Sequence, residues 1–234
     1  MKTWNPKRLP GVAMAAVALS ALSALFALPA QADVISFEAA ATAGLYLPGE
    51  SFSEGGFVLT TLIDVGIVDT AAALGTQATT GNATQFYFAS NDGGLRVAST
   101  TGIGLNLSGF SAAFVAQDPA SLQSTVLVAR GTLQNNSTVT ASFAFGTSST
   151  TNFPFVSYGG ASLAAFTNLQ RVEFFACSWV GGVACSVPTA NNGQFAIDNI
   201  SVSVVPEPGA ALLLALGLAG VGLRNRRTVV STAR

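Results

Sequence analysis

The sequence predicts an all-β fold, an antiparallel β-sandwich of jelly-roll type with an apolar helix on either flank. Three observations predict it. Short stretches between residues 34 and 204 alternate apolar and polar side chains with period two. Gly, Asn, Ser and Thr punctuate those stretches at turn-like intervals. No long stretch of the body keeps a helical period, so the strands must cover one another.

The first expected strand is Val34–Glu38, followed by Phe57–Leu62. Gln85–Ser90 and Leu95–Thr100 flank Asn91-Asp92-Gly93-Gly94, which reads as a hairpin turn. Leu105–Ala116 and Thr125–Leu133 come next. In Thr138–Phe145, Val139, Ala141, Phe143 and Phe145 share one face and hydroxyls dominate the other. Phe153–Tyr158, Leu169–Ser178 and Gln194–Val204 complete the set. In the last, Phe195 and Ile197 are apolar at odd positions, whereas Ile200, Val202 and Val204 are apolar at even ones. One face stays buried across that slip only if the strand bulges, which places a β-bulge at Asp198-Asn199.

The chain is 50% hydrophobic and only 9% charged, too apolar for disorder and too poor in charge for a typical cytosolic enzyme. Its charges are sorted by position. Between Asp33 and Val205 stand three arginines, Arg96, Arg130 and Arg171, against ten carboxylates, a body of −7. Such a body repels nucleic acid and anionic lipid. Histidine is absent, which excludes a Ser-His-Asp triad, a Cys-His dyad and His-ligated zinc. Paired carboxylates occur in any acidic domain, so a glycosidase reading has no specific support and no catalytic residue is assigned.

The two ends differ from the body. Lys2, Lys7 and Arg8 precede an apolar run, Val12–Leu28, and Ala30-Gln31-Ala32 follows it. This pattern predicts an N-terminal signal helix, residues 1–32, cleaved after Ala32. At the far end, Pro206-Glu207-Pro208 breaks the last strand. An apolar run from Gly209 to Leu223 follows, then Arg224-Asn225-Arg226-Arg227. As a helix this run is ~22 Å long, short of a ~30 Å hydrocarbon core, so it spans marginally with its arginines at the cytoplasmic face. The expected division is therefore 1–32 signal peptide, 33–205 β-sandwich domain and 206–234 sorting segment.

The sequence Pro206-Glu207-Pro208, the apolar Ala210–Leu223 and the basic Arg224, Arg226 and Arg227 resemble the PEP-CTERM sorting signal of Gram-negative bacteria. The resemblance implies cleavage near Pro-Glu-Pro by exosortase, a membrane-embedded protease of transpeptidase type, in a system associated with exopolysaccharide and biofilm. It implies an exported protein that touches the inner membrane transiently and then reaches the cell surface or extracellular matrix. Gln194-Phe195-Ala196-Ile197-Asp198 resembles the Gln-Phe-x-x-Asp signature of one PEP-CTERM subfamily. Ile197-Asp198-Asn199-Ile200 and the opening Phe37-Glu38 are similar to the last and first strands of carbohydrate-binding jelly rolls. That similarity implies a structural calcium held by Glu38 and Asp198, with no other cofactor; the plainer alternative is that Asp198 caps the bulge amides and Glu38 is solvated.

Cys177 and Cys185 are the only cysteines, eight positions apart. In an oxidising compartment they are expected to form a disulfide, against two free thiols or a bridge to another chain. Trp179, inside that loop, is the candidate glycan contact, with Tyr46 and Tyr158 as further aromatics, against packing roles for all three. Arg171 and Glu173 share a strand face and read as a solvated surface pair. Together these readings describe a non-enzymatic envelope or matrix protein partnered by exosortase and exopolysaccharide. A carbohydrate-binding module with a defined cleft is the alternative, and a glycan-active enzyme a third.

Overall fold

The computed structural model describes residues 32–39, 43–74, 81–90, 92–115, 125–145, 154–180, 183–186, 193–205 and 217; side chains at 125, 178–180 and 183–186 are not among them. The expected signal segment up to Gln31 lies outside these residues. So does the sorting segment 206–234 apart from Gly217, with Pro206, Glu207, Pro208, Arg224, Arg226 and Arg227. Among the described residues no helix is long and apolar enough to cross a membrane. Gln31–Val205 forms one compact unit.

Alternation becomes strand along this unit. The elements are β1 (Ala32–Ile35), β2 (Gly44–Tyr46), β3 (Ser51–Glu54), β4 (Phe57–Leu62), β5 (Gly66–Thr70) and the single turn α1 (Ala71–Leu74). They continue with β6 (Gln85–Ala89), β7 (Gly94–Ser99), β8 (Leu105–Phe114), β9 (Thr125–Leu133), β10 (Thr138–Ala144) and β11 (Val156–Gly159). After a 3-10 turn at Gly160–Leu163 come β12 (Leu169–Val180), β13 (Val183–Ser186) and β14 (Phe195–Val204). Every described pairing is antiparallel.

The pairings make two layers. One runs β2-β5-β6-β14-β8, with β1 beside β14 and β11 beside β8. The other runs β3-β4-β7-β12-β9-β10, with β13 beside β12. Among the described residues their edges are joined where Leu169 pairs with Leu105, giving a nearly closed, barrel-like sandwich. The inward faces share one core: Tyr87, Leu107, Phe110, Phe195 and Ile197 from the first layer pack with Leu59, Leu95, Val97, Leu127 and Phe174 from the second. Each such burial stabilises by roughly 1.5–3 kcal/mol, and this common core is what closes the sandwich.

Two sequence expectations change here. The hairpin at Asn91-Asp92-Gly93-Gly94 is absent, because β6 pairs with β5 and β14 whereas β7 pairs with β4 and β12. The segment does turn sharply, with Asp92 at φ 64 and Gly93 N–H on Ser90 O at 2.8 Å. It carries the chain from one layer to the other. Tyr87 and Leu95 therefore face each other through the core, and the Tyr87 hydroxyl donates to Gly94 O at 3.0 Å. The first strand, expected to reach Glu38, stops at Ile35. The buried Phe37 takes φ 60, which no strand residue can hold.

The bulge falls where the phase slip placed it. On β14, Asp198 pairs with Ser111 and Ser201 with Gly109, so three steps oppose two. Asn199 carries the irregularity at φ 51 and is exposed, while Ile197 and Ile200 on either side remain fully buried.

Candidate functional site

The bulge and the end of β1 are brought together by β14, which pairs with β6 at Phe195–Ile197 and with β1 at Ile200–Ser203. Asp198 and Asn199 fall in the gap between these two neighbours. Asp198 is 1% exposed. Its Oδ2 accepts from Asn82 Nδ2 at 2.6 Å and Asn199 Nδ2 at 3.0 Å, and its Oδ1 accepts from Asn199 N–H at 2.7 Å. Asn82 is itself fixed by Thr84, whose N–H and hydroxyl both donate to Asn82 Oδ1.

Glu38 is exposed, and its Oε1 accepts from the backbone N–H of Gln85, at the start of β6, at 2.7 Å. A third carboxylate, Glu54 at the end of β3, accepts from Ser36 N–H at 2.9 Å and Phe37 N–H at 3.1 Å. It thereby holds the left-handed turn at Phe37, whose ring packs 6.2 Å from those of Phe52 and Tyr87. Burial pushes the Asp198 carboxyl up; its Asn82 and Asn199 hydrogen bonds oppose this and the charges of Glu38 and Glu54 add to it, leaving a pKa of about 6.

Glu38 and Asp198 thus share one electrostatic neighbourhood but share no hydrogen-bond partner. No group of three Asp, Glu, His or Cys side chains among the described residues is placed to hold a metal ion. Oxygens of another kind are at hand. Gln85 Oε1 is buried without a hydrogen-bond partner among the described residues, on the residue whose N–H holds Glu38. Sequence reading found Glu38 and Asp198 through the resemblance of the first and last expected strands to carbohydrate-binding jelly rolls. It missed Glu54, Asn82 and Gln85, which only the tertiary fold brings to them.

The reading of Arg171 and Glu173 as a solvated pair is corrected. Glu173 is 4% exposed and meets all three arginines of the domain. Burial alone would raise its carboxyl, but hydrogen bonds from Arg130 and Arg96 and their charges outweigh it and hold the pKa below its ordinary value. Long-range pairing of β12 with both β7 and β9 made this cluster, and one strand's sequence carries no sign of it.

The remaining candidates divide. Tyr158 packs its ring 5.3 Å from Phe110 and 5.2 Å from Phe143, and Tyr46 lies 4.5 Å from Phe52, so both serve packing. Cys177 is buried beside Val126 and Val128, and no described cysteine is free. The side chains of Cys185 and Trp179 lie outside the described residues, although their backbones belong to the paired strands β12 and β13.

Directly after the bulged strand, residues 204–227 match the PEP-CTERM protein-sorting motif. The chain carries a PEP-CTERM sorting signal. The match spans about a tenth of the chain and supports an exported exosortase substrate, briefly anchored in the membrane. No curated protein matches this chain in sequence. Among solved structures it is similar to a DUF4465 family protein from Bacteroides caccae, at 13% identity and a TM-score of 0.50, covering 75% of this chain and all of that one. That likeness concerns the fold alone. The C-terminal family 22 carbohydrate binding module of Clostridium thermocellum Xyn10B is 11% identical at TM-score 0.35, over 74% of this chain and 92% of that one. TmCBM61, solved with beta-1,4-galactotriose, is 10% identical at TM-score 0.33, over 70% of this chain and all of that one. Likeness at such scores says nothing about ligand.

Proposed function

We propose that this chain is a non-enzymatic envelope or matrix protein whose β-sandwich is released to the cell surface by exosortase and there associates with exopolysaccharide. The observation that carries the reading is the sorting motif at residues 204–227, set immediately behind the last strand. Proline disfavours helix and suits an extended peptide, the form a protease-like active site takes up, and basic residues after an apolar run, here Arg224, Arg226 and Arg227, favour the cytoplasmic side. Signal cleavage after Ala32 supplies the mature N-terminus Asp33. Replacing Pro206-Glu207-Pro208 by three alanines tests the reading. Translocation is expected to continue while the domain is trapped at the inner membrane; normal surface delivery of that variant would refute it.

Within this reading the sandwich is jelly-roll-like, Cys177 and Cys185 are bridged, and Trp179 in their loop offers a glycan contact. Calcium belongs to the same reading. Glu38 and Asp198 would hold it, with Gln85 Oε1 and backbone carbonyls of the bulge completing an oxygen set, and it would neutralise the three-carboxylate neighbourhood. Calorimetry of the exported protein with calcium and with chelator decides: equal melting temperatures would remove the metal and leave Asp198 as a cap for the Asn199 amide. A carbohydrate-binding module with a defined cleft is the second reading. Selective retention of one neutral oligosaccharide on a glycan array would favour it.

A further inference from the structure

Arg96, Arg130 and Arg171 are the only cations between Asp33 and Val205, and all three lie on one outer sheet face. Strand register aligns them. A single row crosses five strands: Ser51 pairs with Thr60, Thr60 with Arg96, Arg96 with Glu173, Glu173 with Arg130, and Arg130 with Thr140 on a sixth. The next row runs Val58, Ala98, Arg171, Thr132 and Thr138. The two rows therefore carry three guanidinium groups around the Glu173 carboxylate, flanked by hydroxyls and by Val58 and Ala98.

The charge balance of the row points outward. Arg96 Nη2 lies 2.9 Å from Glu173 Oε1, Arg130 Nη2 lies 2.6 Å from Oε2, and Arg171 Nε stands 3.4 Å from Oε1. Arg171 Nε makes no hydrogen bond among the described residues. One carboxylate needs one guanidinium for neutrality, so the cluster keeps a surplus of two positive charges. Holding like charges this close is unfavourable unless a further anion meets them. The side chains of Arg96, Arg130 and Arg171 are 38%, 50% and 40% exposed, although Arg171 Nε itself is buried. Arg130 is held flat by the ring of Phe175, 5.4 Å from its centroid. Two strand spacings separate Arg96 from Arg130, ~10 Å, the scale of a disaccharide repeat.

We infer that this face binds a carboxylated polysaccharide, a uronate-containing chain lying across the strands with its carboxylates on Arg171 and on the outer N–H groups of Arg96 and Arg130. The inference rests on the proposed association with exopolysaccharide and names the class of glycan. A planar guanidinium pairs a carboxylate through two parallel hydrogen bonds, and the hydroxyls of Ser51, Thr60, Thr138 and Thr140 can meet sugar hydroxyls. A nucleic-acid duplex, with one charge per ~1.7 Å, meets the repulsion of the −7 body more strongly than a uronate chain, which carries at most one charge per sugar. Screening within ~8 Å at physiological salt lets the local arginines act despite that body.

Affinity electrophoresis of the exported protein tests this in gels holding polygalacturonate, its carboxyl-reduced neutral polymer, dextran sulfate or polyglutamate. Retardation is expected in polygalacturonate alone, falling as salt rises. Arg171→Gln is expected to weaken it at least tenfold with little change in melting temperature, because Arg171 makes no hydrogen bond to Glu173. Equal retardation by the neutral polymer keeps the polysaccharide reading and overturns this one. Equal or stronger retardation by polyglutamate or dextran sulfate, or an R171Q protein that melts and binds like the wild type, also overturns it. Should R171Q fail to fold, salt-independent binding by the wild type refutes the inference. Exosortase processing is scored separately by localisation, so the two failures are distinguishable.

Discussion

Single residues carry two opposed titrations. Asp198 is held above its unfolded value, at about 6, so the folded state binds its proton more tightly. Its contribution is fully present below the ordinary Asp value of 3.8 and is lost as pH rises through 6. Glu173, held low by Arg130 and Arg96, works the other way: its contribution is present above its ordinary value of 4.5 and lost as pH falls through the lower folded one. Between pH 5 and 7.5 only Asp198 of this pair matters. Without calcium, the stability of the exported protein is expected to fall over that range by about 1–1.5 kcal/mol, with a lower melting temperature at the alkaline end. Asp198→Asn should flatten the profile; an unchanged slope would move the effect elsewhere. Ile63 is a different case. It is β-branched, 63% exposed and at φ 68, a left-handed conformation that costs roughly 1–2 kcal/mol. Ile63→Gly is expected to raise the melting temperature, and a lowered one would mean that the isoleucine makes a contact worth more than its strain.

At the scale of elements, strand existence was legible and strand partnership was not. Period-two alternation located β4, β8, β9, β10 and β14 because each keeps one face on the common core. The short β2, β3 and β13 hold too few residues to display a period. Turn chemistry at Asn91–Gly94 correctly signalled reversal, yet whether a reversal pairs its flanks or crosses to the other layer depends on strands far away. The candidate site divides in the same way. The bulge at Asp198 showed itself through the phase slip of its own strand, while Asn82 reaches Asp198 only by tertiary contact, Glu54 acts on it only as a nearby charge, and Glu173 is buried by neighbours it never meets in sequence. Gly66 tests the packing of β5 on β6. A Cβ there would run into the ring and hydroxyl of Tyr87, which is anchored between Thr61 and Gly94. Gly66→Ala should cost about 1–3 kcal/mol in denaturant unfolding, and a neutral result would mean that Tyr87 can swing aside. For the β12–β13 pair, a Cys177–Cys185 bridge predicts that neither thiol alkylates without reduction. Replacing either cysteine should then cost roughly 2–3 kcal/mol.

At the scale of the whole molecule, a compact sandwich is followed in the chain by a sorting motif. The sandwich unit ends at Val205, and the sorting motif begins at residue 204, so the motif starts where the last strand stops. A signal that must be reached by a membrane enzyme is well placed there, since cleavage after the domain leaves the core untouched. The central claim is that residues 206–227 are removed rather than kept. Mass spectrometry of the mature protein from a host with exosortase, and from the same host without it, tests this most directly. The account predicts Asp33 as the first residue and a C-terminus near Pro206-Glu207-Pro208 in the first host, with Arg234 retained only in the second. A protein that keeps Arg234 and stays in the inner membrane of the exosortase-bearing host would contradict it.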